Sequence, residues 1–164
     1  MERLRACLAG SVFISGKGSS MSFAHDGLHD DLTRLAAPPH YYEILRREIA
    51  LANRNSTELT VIRIILKSKA PLYEVTLISF ADLITNSFRY EDAKARLGEF
   101  EFGVLIRGDE ALASELSRRL IARWAIEGRP DTTIAYACVK FSPGEAAISF
   151  INRLDDQLLT QSDF

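Results

Sequence analysis

Arg89-Tyr90-Glu91-Asp92 sets a guanidinium and a short carboxylate three residues apart. An arginine fork can grip a phosphate or the edge of a planar base, and an aspartate can accept from a base N–H. The same spacing also suits a simple i,i+3 ion pair at a helix end, which contributes roughly a few tenths of a kcal/mol. Arg118, Arg119 and Arg123 form a basic cluster further along. Such a cluster is ordinarily a solvated face, yet it can meet a phosphate if Arg89 lies nearby. His25 and His29, beside Asp26 and Asp30, have metal-compatible spacing on a helix. With no further Cys or His cluster behind them, a solvated helix face is the favoured reading and no metal site is expected. The serines, histidines and aspartates form no nucleophile motif.

The elements that must position these groups can be read from periodicity. The chain has 164 residues, 47% hydrophobic and 26% charged, enough for one packed domain without a disulfide or metal staple. A net charge of -2 argues against bulk attraction to nucleic acid or to an anionic membrane, and the apolar runs are too short to span a bilayer. Cys7 and Cys138 are too few and too far apart for a zinc or disulfide pattern, which suggests a reduced, cytoplasmic chain. Residues 1–23 read as an extension or linker, with Ser15–Ser20 flexible and only a loose likeness to a secretory signal; residues 24–164 read as the domain.

Tyr41, Leu45, Ile49 and Ala52 predict a helix over Tyr41–Asn53, following Pro38-Pro39. Leu59–Leu66 is β-branched and almost wholly apolar, as a central strand is. Leu72–Phe88 returns to helical spacing, and Ala93–Leu97 and Glu101–Ile106 read as a hairpin around Gly98. Asp109 caps a helix whose Leu112, Leu116, Leu120 and Trp124 are expected in the core. Thr132–Phe141 is a further strand. Ser142-Pro143-Gly144-Glu145 reads as a capping box opening a last helix, with Ile148, Ile151, Leu154 and Leu158 inward. The order predicts an α/β sandwich, a mixed sheet flanked by helices.

Four ordered segments then resemble the GGDEF (diguanylate cyclase) family. His29-Asp30-Asp31-Leu32-Thr33-Arg34-Leu35 is similar to its H-D-x-L-T-G-L segment. Asp92 to Ile106 is similar to D-x-x-A-R-x-G-G-D-E-F and the strand after it, so the name-giving residues fall on Gly98, Glu99, Phe100, Glu101 and Phe102. Thr133–Ala137 sits where the family has T-V-S-I-G, and Leu154-Asp155 where it has A-D-x-A-L. The resemblance implies a nucleotidyl cyclase-like fold with the motif on a β-hairpin.

It also implies that this copy is degenerate. Cyclase chemistry needs carboxylates that hold magnesium against GTP phosphates. The first strand offers Ile64, Ile65 and Leu66, and the third motif position is Phe100, expected to fold down into the vacated space. Glu99 replaces the glycine that lets backbone approach phosphate. Lys67–Pro71 runs almost directly into the next helix where the family has a guanine-binding loop. Ala37 and Pro38 replace an N-R pair, and the family's late lysine falls near Ser162. No catalytic residue, metal or cofactor is expected.

The intact element is the R-x-x-D of Arg89 and Asp92, which in the family is an inhibitory site that binds product, with Arg119 the closest match to its second arginine. The resemblance thus implies a cyclic di-GMP receptor or adaptor that is not an enzyme, working with a signalling partner or as a homodimer. The alternative is a nucleotide-free protein–protein interaction module that keeps only the fold.

Overall fold

The computed structural model describes residues 23–156 and 160–161. The extension over 1–22, Leu158 and Ser162 lie outside the described residues. The elements run α1 (Pro38–Asn55), β1 (Thr60–Ser68), α2 (Glu74–Ser87), β2 (Ala93–Arg96), β3 (Glu101–Ile106), α3 (Glu110–Glu127), β4 (Thr132–Lys140), α4 (Ala147–Asp156) and β5 (Thr160–Gln161).

One five-stranded sheet in the order β2-β3-β1-β4-β5 carries the helices. Every ladder between these strands is antiparallel, which corrects the expected mixed sheet. The reason is where the returning strand goes. Helix α2 connects β1 to β2, which run in the same direction, but β3 inserts between them. Likewise α3 connects the co-directional β3 and β4, with β1 between them. A strand–helix–strand order reads as parallel pairing along the sequence, and here the parallel partners are never neighbours.

Alternation along the strands separates two cores. Ile62, Ile64 and Leu66 of β1 join Phe102, Val104 and Ile106 of β3 beneath α2 and α3. Phe80, fully buried, sits edge-on to Phe102 at 5.1 Å and to Trp124 at 4.9 Å. Aromatic pairs of this kind add about 0.5–1.5 kcal/mol beyond area burial. The Trp124 indole donates to Thr132 Oγ1 at 2.9 Å, tying α3 to the start of β4. On the other face, Leu59, Val61, Leu105 and Val139 meet Tyr41, Leu45 and Ile49 of α1 and Phe150, Ile151 and Leu154 of α4. Gly103 lets the two pack closely there: a Cβ would meet Leu97 Cδ1 at 2.7 Å and the Tyr41 ring at 3.2 Å.

Several element boundaries differ from expectation for identifiable reasons. Helix α1 begins at Pro38 itself, because proline fits the first helical turn and loses nothing by lacking an N–H. Asp109 caps α3 as its sequence suggests, accepting from the Leu112 amide at 2.8 Å. Ser142–Glu145 does not open α4. Glu145 N donates to Ser142 O, Ser142 N donates to the Glu145 carboxylate, and Gly144 turns at φ +82° with its amide on Asn53 Oδ1. These bonds close a separate turn, and the helix starts at Ala147. Ile148 consequently points to solvent, and Leu112 is also exposed, while Leu120 and Trp124 are buried. His25 and His29 lie on no helix; they join short bridges to Asp30 and Ala36.

Candidate functional site

Two places carry the chemistry-bearing residues. The first is the hairpin tip between β2 and β3. Arg96, at the end of β2, is completely buried and lays Nη1 at 3.0 Å from both oxygens of Asp30, itself completely buried. Its Nη2 and Nε donate to Glu99 O at 2.9 and 3.3 Å, and the Phe23 ring lies 5.3 Å from the guanidinium carbon. Asp30 also accepts from Thr33 N at 3.0 Å and Thr33 Oγ1 at 2.8 Å. A buried ion pair survives only when its remaining donors and acceptors are met, and this one is met on both sides. The segment before α1 is thereby fastened to the hairpin turn. Two further backbone bonds reinforce it, Ala36 N to Lys94 O and Arg96 N to Ala36 O.

Apart from the exposed Glu99 side chain, the rest of the tip is occupied too. Arg63 Nε donates to Glu101 Oε1 at 2.6 Å, so the carboxylate of the fourth motif position is held by a strand arginine. Phe100 is half-buried and packs on the core under α2 and α3. Ile64 and Leu66 are buried and apolar. This set of side chains does not suit a divalent cation, whose ligands would be several oxygens converging on one point. Among the described residues no group of three or more His, Cys, Asp or Glu side chains converges in that way.

The second place is a cavity of about 340 Å³ between the end of α2, the β3–α3 connection and the outer face of α3. Ser87, Phe88, Arg89, Asp92, Ile106, Arg107, Leu112, Leu116 and Arg119 line it. Arg89, Asp92 and Arg119, distant in sequence, thus share one wall. The reason is local: α2 ends at Ser87, Phe88 is extended, and Arg89–Asp92 forms a tight turn before β2. Asp92 Oδ2 accepts from the Arg89 amide at 2.9 Å, and the Asp92 amide donates to Arg89 O at 3.2 Å. The i,i+3 pair is therefore no side-chain ion pair. The carboxylate holds the backbone turn, and the Arg89 guanidinium is left exposed.

Burial pushes the Asp92 carboxyl above its ordinary value, against the Arg89 amide and the Lys94 charge that pull it down. Lys94, whose amine donates to Arg89 O, is lowered by burial. The guanidinium groups of Arg89 and Arg119 enter no hydrogen bond or ion pair within the described residues. Their neighbours are spoken for: Arg118 pairs with Glu115, and Arg123 with Glu127 and Ser87 Oγ. The apolar part of the lining is Phe88, Ile106, Leu112 and Leu116. Two unpaired cations beside apolar side chains suit an anionic ligand.

Sequence reasoning missed two features of importance. The Arg96–Asp30 pair joins positions 66 apart, and its signal was only that both belong to recognised segments. Arg107 enters the cavity from the β3–α3 connection, and nothing in its sequence context marked it. A larger cavity, about 410 Å³, lies by the end of β4 and is lined by Glu110, Lys140 and Arg153 among others. Its cations are already neutralised, Lys140 by Glu58 and Arg153 by Glu145.

The chain matches no protein-family model and no curated protein. Solved structures do match. The GGDEF domain of DgcB from Caulobacter crescentus, solved in complex with c-di-GMP, superposes with a TM-score of 0.72 at 19% identity, over 86% of this chain and 90% of that one. The FimX GGDEF domain from Pseudomonas aeruginosa gives 0.70 at 21% identity, over 79% and 90%. A sensory box/GGDEF family protein from Caulobacter crescentus CB15 gives 0.63 at 25% identity, over 79% and 94%. With one antiparallel sheet flanked by helices and a hairpin at the expected place, the chain has a GGDEF-like fold.

Proposed function

We propose that this chain is a cyclic di-GMP-binding signalling domain without cyclase activity, and that Arg89, Asp92 and Arg119 make the contacts. The observation that carries the reading is the cavity in which those three residues meet while both arginine side chains remain unpaired. Guanidinium forks fit the phosphates and guanine edges of the dinucleotide, and the apolar lining fits a base face. The free Asp92 oxygen can accept from a guanine N–H while the other holds the turn. Absence of catalysis is supported by the hairpin tip, where Ile64, Ile65, Leu66 and Phe100 stand in place of magnesium ligands and Glu101 is bound to Arg63. Calorimetric titration of the purified chain with cyclic di-GMP tests the binding, with Arg89→Lys as control, and incubation with GTP and magnesium tests the lack of turnover. No heat and no thermal shift from the wild-type chain would end this reading.

A second reading, a protein–protein interaction module, draws support from Tyr73, Val75 and Ile78, which expose apolar surface around the start of α2. A GGDEF relative, the cyclase SiaD, has been solved in complex with its activator SiaC. In that case a partner would bind equally well with or without nucleotide. No described helix is long and apolar enough to cross a membrane.

A further inference from the structure

Arg107 is the third cation of the cavity, and it differs from the other two. Its guanidinium makes a fork with Glu48 of α1, Nε to Oε2 at 3.0 Å and Nη2 to Oε1 at 3.1 Å. The arginine side chain is 63% exposed and the glutamate side chain only 14%. Its backbone is held on both sides. Ile106, just before it, is paired with Thr60 in the sheet, and Gly108, just after it, donates to Glu58 O and accepts from Thr60 Oγ1 at 2.7 Å. Only the side chain is free to choose a partner, and from one anchored Cα it borders both the α1 carboxylate and the cavity.

We infer that Arg107 is a switching ligand contact: it rests on Glu48 when the cavity is empty of phosphate and transfers its fork to a ligand phosphate when a cyclic dinucleotide binds. This rests on the cyclic di-GMP reading above. A carboxylate and a phosphate offer the same two-oxygen geometry to a guanidinium, so the exchange trades one fork for another. The pair being given up is largely exposed on its cationic side, and such pairs hold weakly. Glu48 is the less exposed partner, so losing its cation opposes the exchange and sets a threshold on ligand affinity. Occupancy of the cavity is thereby linked to α1, because transfer removes the fork that joins that helix to the β3–α3 connection. By reciprocity, whatever draws Glu48 away from Arg107 strengthens ligand binding.

The test is calorimetry with cyclic di-GMP on the full chain and on Arg107→Ala, Arg107→Lys, Glu48→Gln and the double variant Glu48→Gln/Arg107→Ala. Losing a charge-assisted contact should weaken binding about tenfold or more in Arg107→Ala, and Arg107→Lys should recover only part of that, because lysine keeps the charge without the fork. Glu48→Gln should tighten binding severalfold, and should change nothing once Arg107 is gone. If Arg107→Ala and Glu48→Gln both bind as the wild type does while Arg89→Lys has lost binding, the exchange is wrong and the cyclic di-GMP site stands. If the wild type itself binds nothing, both fall. Should a variant fold poorly, the wild-type chain still decides. The Arg107 Nε–H resonance, assigned by its disappearance in Arg107→Lys, must shift on ligand addition, and an unmoved resonance in the saturated chain overturns the proposal.

Discussion

The hairpin tip and the Arg89 cavity are both rich in arginine and carboxylate, and they treat those groups in opposite ways. At the tip every charge but that of the exposed Glu99 carboxylate is held internally. Arg96 is spent on Asp30 and Glu99 O, Glu101 is held by Arg63, and Phe100 packs on the core. In the cavity Arg89 and Arg119 have nothing to hold, and Asp92 spends one oxygen on its own turn. A polar group satisfied within the fold contributes to structure, whereas one left unsatisfied beside apolar side chains is available to a ligand. One region therefore uses its charges to hold the fold, and the other leaves two of its cations open.

The strongest way to break that division is at Asp30. Removing its carboxylate strands a fully buried guanidinium, so Asp30→Ala should destabilise the fold by about 3–5 kcal/mol. Urea unfolding would show it. A cost below about 1 kcal/mol would mean the tip is less self-contained than its geometry indicates.

In the cavity the expectation reverses. Arg89→Lys should leave unfolding free energy within about 0.5 kcal/mol of wild type and weaken cyclic di-GMP binding by about 1.5–3 kcal/mol, because the planar fork is lost and the charge kept. Equal losses in stability and binding would erase the contrast.

Acidification sharpens it further. The Asp92 carboxyl is raised above its ordinary value by burial. The folded chain therefore keeps that proton where the unfolded chain has released it, and ionising Asp92 costs stability as pH rises through the window between the unfolded and folded values. Binding runs the other way, since the ionised form is the acceptor. Affinity should fall as pH drops through the raised value, beginning above the range of an ordinary aspartate, and Asp92→Asn should lose that pH dependence. Titrations at a series of pH values would check both.

Arg34 offers a smaller effect. It sits at φ 61°, where the resembled motif has glycine. Arg34→Gly should raise stability by about 1 kcal/mol through relief of the left-handed strain, without altering ligand affinity. Thermal unfolding would register it. The smallest expected effect is none at all: Phe100→Asp should produce no cyclic di-GMP from GTP, because Ile64, Ile65 and the Arg63–Glu101 pair are unchanged.

Much of this architecture is legible along the chain because it is local. The Tyr41, Leu45, Ile49 and Ala52 stripe, the Asp109 cap and the apolar run of β1 each depend on neighbours within a turn or on one strand. What escaped was set by distant partners. The antiparallel sheet follows from where β3 inserts, and the turn at Ser142–Glu145 is pinned by Asn53. Arg96 finds its carboxylate before α1. At the cavity, Arg89 and Asp92 were visible as a spacing. That Asp92 would hold a backbone turn was not, because an i,i+3 carboxylate can serve a side chain or an amide equally well. Arg107 was invisible for the same reason as Arg96, since its role depends on a helix far upstream.

The central place of β1 also governs how the chain is made. β1 emerges from synthesis early, as a nearly continuous apolar strand, yet the strand on one of its edges, β4, starts only at Thr132. Until then that edge offers unpaired amides and carbonyls to any other extended chain. A chain halted within α3 would hold the hairpin against one side of β1 and leave the other open, a species prone to self-association. That edge of the sheet is covered only when β4 arrives, so a strand translated well after β1 is the one that protects it.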